Sequence, residues 1–281
     1  MSTPRSLDLP KGVRPGRIVT SRGDFAALVA DPPAGDRPAV ILVPGWTGSK
    51  EDFAAVLAPI ARAGYQAVSI DQRGQFETAG KDDEGAYTLD GFGADLRALI
   101  AACGGRAHLV GHSFGGLVVR TAAIADPPAV ASVTLLCSGP AALPAEVHPL
   151  LDALADAIGN VGLALAWKAK RAHELANGTP AVPDDIEAFL ARRFVTNHPV
   201  SLQAMTRLLT SAPDLVSELR ATEVPVQVVF GADDDGWPLD TQREMAARLN
   251  APVHIIEDAG HSPAVEQPEA TATTLLNFWE E

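Results

Sequence analysis

The sequence predicts an α/β fold, a mostly parallel sheet with helices on both faces and an inserted helical cap. Three observations predict it. Short apolar runs alternate with helical patterns between residues 38 and 136, the rhythm of βαβ units. The alternation stops between about Gly139 and Val224, where only helical patterns occur. It resumes at residues 225–230 and 253–256, so a single sheet has been interrupted by an insert.

The elements follow in order. The first 15 residues are rich in Pro and basic groups and read as a loose arm. Residues 17–20 and 25–30 read as strands joined by Arg22-Gly23-Asp24, a hairpin signal. Residues 38–43 are apolar throughout and stop at Pro44-Gly45, as a strand buried on both faces does. A helical pattern from about 51 to 63 ends at Gly64, and a strand follows at 66–70. Leu89, Phe92, Leu96, Leu99 and Ile100 mark one face of a helix over 89–103. Then come a strand at 107–110, a helix at 114–125 and a strand at 131–136.

In the insert, Leu151, Leu154, Ile158, Val161 and Leu165 recur at three- and four-residue steps, and Pro183 and Pro199 open further helices. A helix over 268–279 closes the chain. The 281 residues suffice for one large domain carrying an insertion. The domain reading is a core of residues 16–140 and 221–281, a helical cap of 141–220 and an arm of 1–15.

Composition narrows the classes of function. Hydrophobic residues are 47% and charged residues 20% of the chain, a globular balance. The net charge of −13 disfavours a nucleic-acid partner and an anionic membrane surface, since either needs a basic face. The first residues carry no apolar run like that of a secretory leader, and no stretch of about 18 uncharged apolar residues occurs. A cytoplasmic location is the expectation. Cys103 and Cys137, the two cysteines, lie in apolar surroundings and read as buried thiols, too few for a disulfide framework or a metal site.

The strongest motif is Gly111-His112-Ser113-Phe114-Gly115, a G-x-S-x-G between a strand ending at Val110 and a helical run starting at Leu117. A serine on so sharp a turn sits in strained backbone, and its neighbours two positions away must be small. On this motif and its setting the chain resembles the α/β-hydrolase family, in its capped esterase- and lipase-like branch, over roughly residues 17–281. The resemblance implies a Ser-His-acid hydrolase with the chain order Ser, acid, His, and makes Ser113 the nucleophile.

His261 is then the base. Among seven histidines it is the one in a loop after the last strand, in Ala259-Gly260-His261-Ser262-Pro263. His108 and His254 sit within strands, and His148, His173 and His198 lie in the insert. The family's G-x-x-D-x-x-x-P pattern aligns with Gly231, Asp234 and Pro238, which selects Asp234 as the acid; Asp233 and Asp235 remain alternatives. Some relatives carry the acid after the preceding strand, where this chain reads Leu136-Cys137-Ser138-Gly139 and has no carboxylate.

The resemblance also implies an oxyanion hole made of backbone N–H groups, from Phe114 and from Trp46 in the loop after residue 43. That loop reads Pro44-Gly45 where relatives often carry His-Gly. Trp46, His112 and Trp237 are candidate pocket residues, as is the Phe114 side chain; each serves equally as packing. Asp71-Gln72-Arg73-Gly74 reads as a loop braced by an ion pair.

The expected activity is hydrolysis of a small to medium, apolar carboxylic ester through an acyl-enzyme, with a small-molecule substrate and neither metal nor organic cofactor. The same residues would serve a C–C bond hydrolase, a lactonase, an amidase or a cofactor-free haloperoxidase. A ligand-binding receptor on a hydrolase scaffold is the alternative of another class. Ser113 at the nucleophile position argues against haloalkane dehalogenase and epoxide hydrolase, which carry Asp there. Oligomeric state is not legible.

Overall fold

The computed structural model describes residues 2–34 and 37–280. Among them, eight strands form one sheet: β1 (Val13–Thr20), β2 (Gly23–Ala30), β3 (Ala39–Val43), β4 (Ala67–Ile70), β5 (Ala107–His112), β6 (Val130–Leu136), β7 (Val226–Gly231) and β8 (Val253–Ile256). Their order across the sheet is β1-β2-β4-β3-β5-β6-β7-β8. β1 and β2 are an antiparallel hairpin, β2 is antiparallel to β4, and every later neighbour pair is parallel. Every residue of β3, β4 and β5 is buried, which is why β3 is apolar without alternation and why the few polar residues of the other two, such as Ser69 and His108, have buried partners. β8 closes one edge and exposes Val253 and Ile255.

Helices cover both faces: α1 (Ala54–Arg62), α2 (Leu89–Ala102) and α3 (Phe114–Ala125) lie between the strands. α2 shows how the sequence writes such an element. The Thr88 hydroxyl accepts the Gly91 N–H at 3.0 Å and caps its start. Leu89, Phe92, Leu96, Leu99 and Ile100 bury one face, and Gly104 and Gly105, both at positive φ, end it.

Between β6 and β7 the chain forms α4 (His148–Val161), α5 (Leu163–Ala176), α6 (Asp184–Val195), α7 (Pro199–Ser211) and α8 (Val216–Ala221). Ile158, Leu163, Trp167, Phe189, Leu190, Phe194 and Leu202 form a second apolar cluster shared with Phe76, so four of these helices carry a core of their own. α8 packs instead on α3 and on α9 (Leu239–Leu249), within the layers of the sheet domain. The short α10 (Pro263–Glu266) and α11 (Pro268–Glu280) end the described chain, and α11 packs on α1. Among the described residues, no helix is long and apolar enough to cross a membrane.

The start of the chain departs from the expected loose arm of residues 1–15. β1 begins at Val13, and Ser2 and Pro4 are buried. The Ser2 and Ser262 hydroxyls meet at 2.9 Å, the Ser2 carbonyl accepts from Arg193 Nη2 at 2.5 Å, and Arg5 Nη2 donates to the Glu266 carbonyl at 2.5 Å. The segment docks through polar atoms whose partners lie far away in sequence, so composition could not reveal it. Met1 lies outside the described residues.

Candidate active site

Ser113 is the single residue between β5 and α3, and its backbone is left-handed, with φ 54° and ψ −118°. Its N–H donates to the Leu136 carbonyl at 2.9 Å, and its carbonyl accepts from the Gly116 N–H at 2.9 Å and the Ser138 hydroxyl at 2.8 Å. These bonds over-determine a conformation that a non-glycine residue adopts only at a cost. A Cβ on Gly111 would collide with the Gly115 carbonyl, and one on Gly115 with the Val43 carbonyl. The spacing of small residues around Ser113 is therefore a packing requirement of the turn.

The loop after β3 presses against this turn. A Cβ on Gly45 would stand 3.0 Å from the Ser113 Cβ and 3.2 Å from His112 Nδ1. Gln72 Nε2 donates to the Pro44 carbonyl at 2.9 Å, and Gln75 Nε2 donates to the Gly45 carbonyl at 2.8 Å. The Gly45 carbonyl and the Trp46 N–H belong to one planar trans peptide, so fixing the oxygen fixes the direction of the N–H. The Phe114 N–H lies at the first turn of α3, where helix N–H groups have no partner within the helix. The Phe114 side chain is wholly buried and packs edge-on to Phe92 at 5.5 Å, so it serves as packing.

The Asp71-to-Gly74 turn braces this loop differently from expectation. Asp71 and Arg73 each pair elsewhere. Asp71 accepts from Lys50 Nζ at 2.9 Å and from the Lys50 N–H at 2.7 Å. Burial pushes the Asp71 carboxyl up to about 7 against the pull of Lys50. Arg73 makes a bidentate pair with Asp95 at 2.5 and 2.6 Å. Gln72, between them, is the residue that reaches the loop after β3.

Beyond β7, the carboxyl of Asp234 meets His261: Nδ1 and Oδ1 are 2.6 Å apart. Burial pushes the Asp234 carboxyl up, but the hydrogen bond and charge of His261, the Gly236 N–H and Gln242 together bring it below the usual range. A carboxylate has no proton to give, so Nδ1 of His261 is the donor. Of the three successive aspartates, Asp234 is buried, while Asp233 and Asp235 are exposed. A Cβ on Gly236 would run into the His261 ring.

The His261 loop is itself held. The Glu266 carboxylate accepts the N–H groups of Gly260 and Ser262, on either side of His261. His112 Nε2 lies 2.5 Å from the His261 carbonyl, to which it donates. Burial, reinforced by the neighbouring His261, drives His112 down to about 3, so it stays neutral.

Among the described residues, two sets of atoms come within 4.8 Å of one another as metal ligands would: His112, Cys137 and His261, and Asp234, Asp235 and His261. Burial holds the Cys137 thiol far above its ordinary range, against thiolate ligation. The nearest atoms of Asp234 and His261 are committed to each other.

The candidate pocket residues separate. Trp46 is half-buried, donates its indole N–H to Thr206 Oγ1 at 3.0 Å, and borders a cavity of about 380 Å³. The cavity is lined mainly by Leu and Ala side chains of α4 and α5, with Lys170, His173 and Glu174 among its polar groups. Trp237 does not line open space. It is 1% exposed, and its N–H donates to the carbonyls of Ala141 and Ala142 at 3.2 and 3.3 Å. An indole with its N–H satisfied by backbone serves as packing, here tying the acid loop to the root of the insert. His112 is buried behind His261.

Sequence reading missed Gln242 and Glu266, which hold the acid and the base loop, and the buried Arg193 that holds Ser2. Two left a signal. Gln242 shares the helical phase of Met245, Ala246 and Leu249, and Arg193 that of Ile186, Phe189 and Leu190. A polar residue on an apolar face needs a buried partner.

A family model described as the alpha/beta hydrolase family matches residues 40–274. RutD from Variovorax paradoxus (strain S110), provisionally named a carbamate hydrolase, is 28% identical over 256 residues, covering 86% of this chain and 92% of its own. The pimeloyl-[acyl-carrier protein] methyl ester esterase of Methylococcus capsulatus is 27% identical, covering 87% of this chain and 96% of its own. A thermophilic esterase from Thermogutta terrifontis, solved with malate bound, superposes with a TM-score of 0.75 at 21% identity, covering 95% of this chain and 98% of its own. At that identity the likeness speaks for the fold.

Proposed function

The chain belongs to the alpha/beta hydrolase family, and on that premise we propose that it is a serine hydrolase cleaving a small to medium, apolar carboxylic ester through an acyl-enzyme. The observation that carries the reading is the 2.6 Å bond between His261 Nδ1 and Asp234 Oδ1, together with a serine held at φ 54° next in sequence to His112, which bonds the His261 carbonyl.

In this reading His261 Nε2 takes the Ser113 proton as Oγ attacks the ester carbonyl. The Trp46 and Phe114 N–H groups receive the oxyanion, and their fixed peptides need no reorganisation as charge develops. His261 then protonates the leaving alkoxide. Water, deprotonated by the same nitrogen, attacks the acyl-enzyme and frees the acid. Asp234 keeps the imidazole in one tautomer and stabilises the imidazolium. The apolar cavity beside Trp46 suits an apolar substituent, and the methyl ester esterase among the relatives supports an ester.

The test is turnover of p-nitrophenyl esters of graded length, beside amide, lactone and carbamate substrates. Esters are expected to be cleaved fastest, and Ser113→Ala to lower kcat by on the order of 10⁴ or more. A faster carbamate or lactone reaction would overturn the ester reading. Unchanged turnover in Ser113→Ala would overturn the nucleophile.

A further inference from the structure

Arg193 belongs to α6, in the insert; its side chain is fully buried, with the guanidinium over the Phe189 ring, yet its side-chain hydrogen bonds run outside the insert. Its two terminal nitrogens go to different places. Nη1 pairs with Asp52 Oδ1 at 2.7 Å, and Nη2 donates to the Ser2 carbonyl at 2.5 Å.

Each contact leads to one side of the candidate site. Asp52 spends its other oxygen on the loop after β3: Oδ2 accepts the Ser49 N–H at 3.3 Å and lies so near Gly48 that a Cβ there would strike it. The Asp52 N–H returns to the Ser49 carbonyl at 3.0 Å. Gly48 N–H in turn donates to the Gly45 carbonyl at 3.1 Å, the oxygen whose peptide carries the Trp46 N–H. On the other side, Ser2 passes the connection from its carbonyl to its hydroxyl, which meets the Ser262 hydroxyl at 2.9 Å. Ser262 is the residue after His261.

We infer that Arg193 is a positioning residue for the proposed reaction, one guanidinium that sets the oxyanion loop through Asp52 and the base loop through Ser2 and Ser262. This rests on the serine-hydrolase reading above. A planar guanidinium presents two donors in fixed relation, so the two loops are held at a fixed offset. A Lys at this position has one nitrogen on a flexible stem and cannot hold both partners in that relation. A small displacement of the oxyanion donors or of the base is costly, because catalysis depends on reacting groups being placed within a fraction of an ångström.

A purely structural ion pair makes a different forecast. Removing both charges of a buried pair is often neutral for stability, whereas removing one strands the other. The double variant Asp52→Asn/Arg193→Met keeps an acceptor for the Ser49 N–H and buries no lone charge. It therefore separates folding from positioning even where Arg193→Met alone fails to fold.

The experiment measures the rate at which a small fluorophosphonate labels Ser113 in wild type, Arg193→Lys and the double variant, with thermal midpoints and with kcat and KM on a short p-nitrophenyl ester. The expected result is wild-type labelling, labelling and kcat roughly tenfold slower in the double variant at a near wild-type midpoint, and an intermediate rate in Arg193→Lys. KM is expected to change little. Labelling at the wild-type rate in a stable double variant overturns the inference and leaves the serine-hydrolase reading standing. No labelling of wild type overturns that reading, and this inference with it.

Discussion

Gln242, one turn into α9, donates its side-chain amide at 2.7 Å to Oδ2 of Asp234, the oxygen that His261 does not use. The same nitrogen reaches the Trp237 carbonyl at 3.0 Å, so it fastens the acid to the loop that carries it. The amide thereby sets the orientation of the carboxylate toward the imidazole.

Gln242→Met keeps the volume and removes the donor. A hydrogen bond to a charged, buried group contributes about 1.5–3 kcal/mol, so the thermal midpoint is expected to fall. Turnover is expected to fall roughly tenfold as Asp234 loses one of the bonds that orient it. Calorimetry and steady-state kinetics read the two effects. Unchanged kcat in a folded Gln242→Met would show that His261 and the Gly236 N–H suffice to orient the acid.

The three aspartates are separable by activity. Asp234→Asn keeps the shape but permits the wrong imidazole tautomer, and is expected to lower kcat by on the order of 10⁴. Asp233→Asn and Asp235→Asn, both at exposed positions, are expected to stay within a few-fold of wild type. A loss at Asp235→Asn comparable with that at Asp234→Asn would reassign the acid.

Stability is expected to depend on pH through two buried histidines. Burial drives His108 down to about 4, helped by Arg106 and Arg37, and drives His112 down to about 3. An unfolded histidine titrates near 6.5. Between those values the unfolded chain binds more protons, so stability rises with pH. The histidine contribution is complete above about 6.5 and declines as pH falls, by at most about 1.4 kcal/mol per pH unit for each histidine. Asp71, pushed up to about 7 by burial, opposes it, because the folded chain holds a proton there that the unfolded chain has lost. Urea unfolding from pH 7.5 to 5 measures the slope. His108→Gln is expected to flatten it, and an identical slope would rule out a neutral, buried His108.

The cavity beside Trp46 offers a test of the insert as a cover over the site. Leu154 and Ala157 line it from α4. Ala157→Leu and Leu154→Phe shrink it and are expected to shift the preferred acyl chain toward shorter esters, raising KM for longer ones. Labelling of Ser113 by a very small phosphonate is expected to stay near the wild-type rate. If stable variants change no substrate preference, the helices of the insert serve packing alone.

Most of the sheet domain was legible because its signals are local. The run at 38–43 is apolar and that at 107–110 mostly so because β3 and β5 are buried, and Gly111 and Gly115 mark Ser113 because the turn has no room for a Cβ. The position of His261 after the last strand was readable for the same reason. What escaped was long-range and polar. Nothing near Ser2 announces Arg193, and nothing in Asp71-Gln72-Arg73-Gly74 says that the charges part company and the glutamine braces the oxyanion loop. Trp237 stayed open between pocket and packing because an aromatic near a site looks the same in sequence whether it faces a cavity or the backbone of Ala141 and Ala142.

The left-handed backbone of Ser113 has a further consequence, for the history a sequence can have. A non-glycine residue held there costs about 1–3 kcal/mol, while a glycine would give back roughly 0.5–1 kcal/mol of that through the freedom of its unfolded chain. The substitution that relaxes this turn most cheaply is thus the one that deletes the hydroxyl. Selection for stability alone pulls position 113 toward glycine, and only a demand on the hydroxyl resists it. A lineage released from that demand would be expected to lose its serine early while the surrounding glycines, required by Val43 and by each other, outlast it.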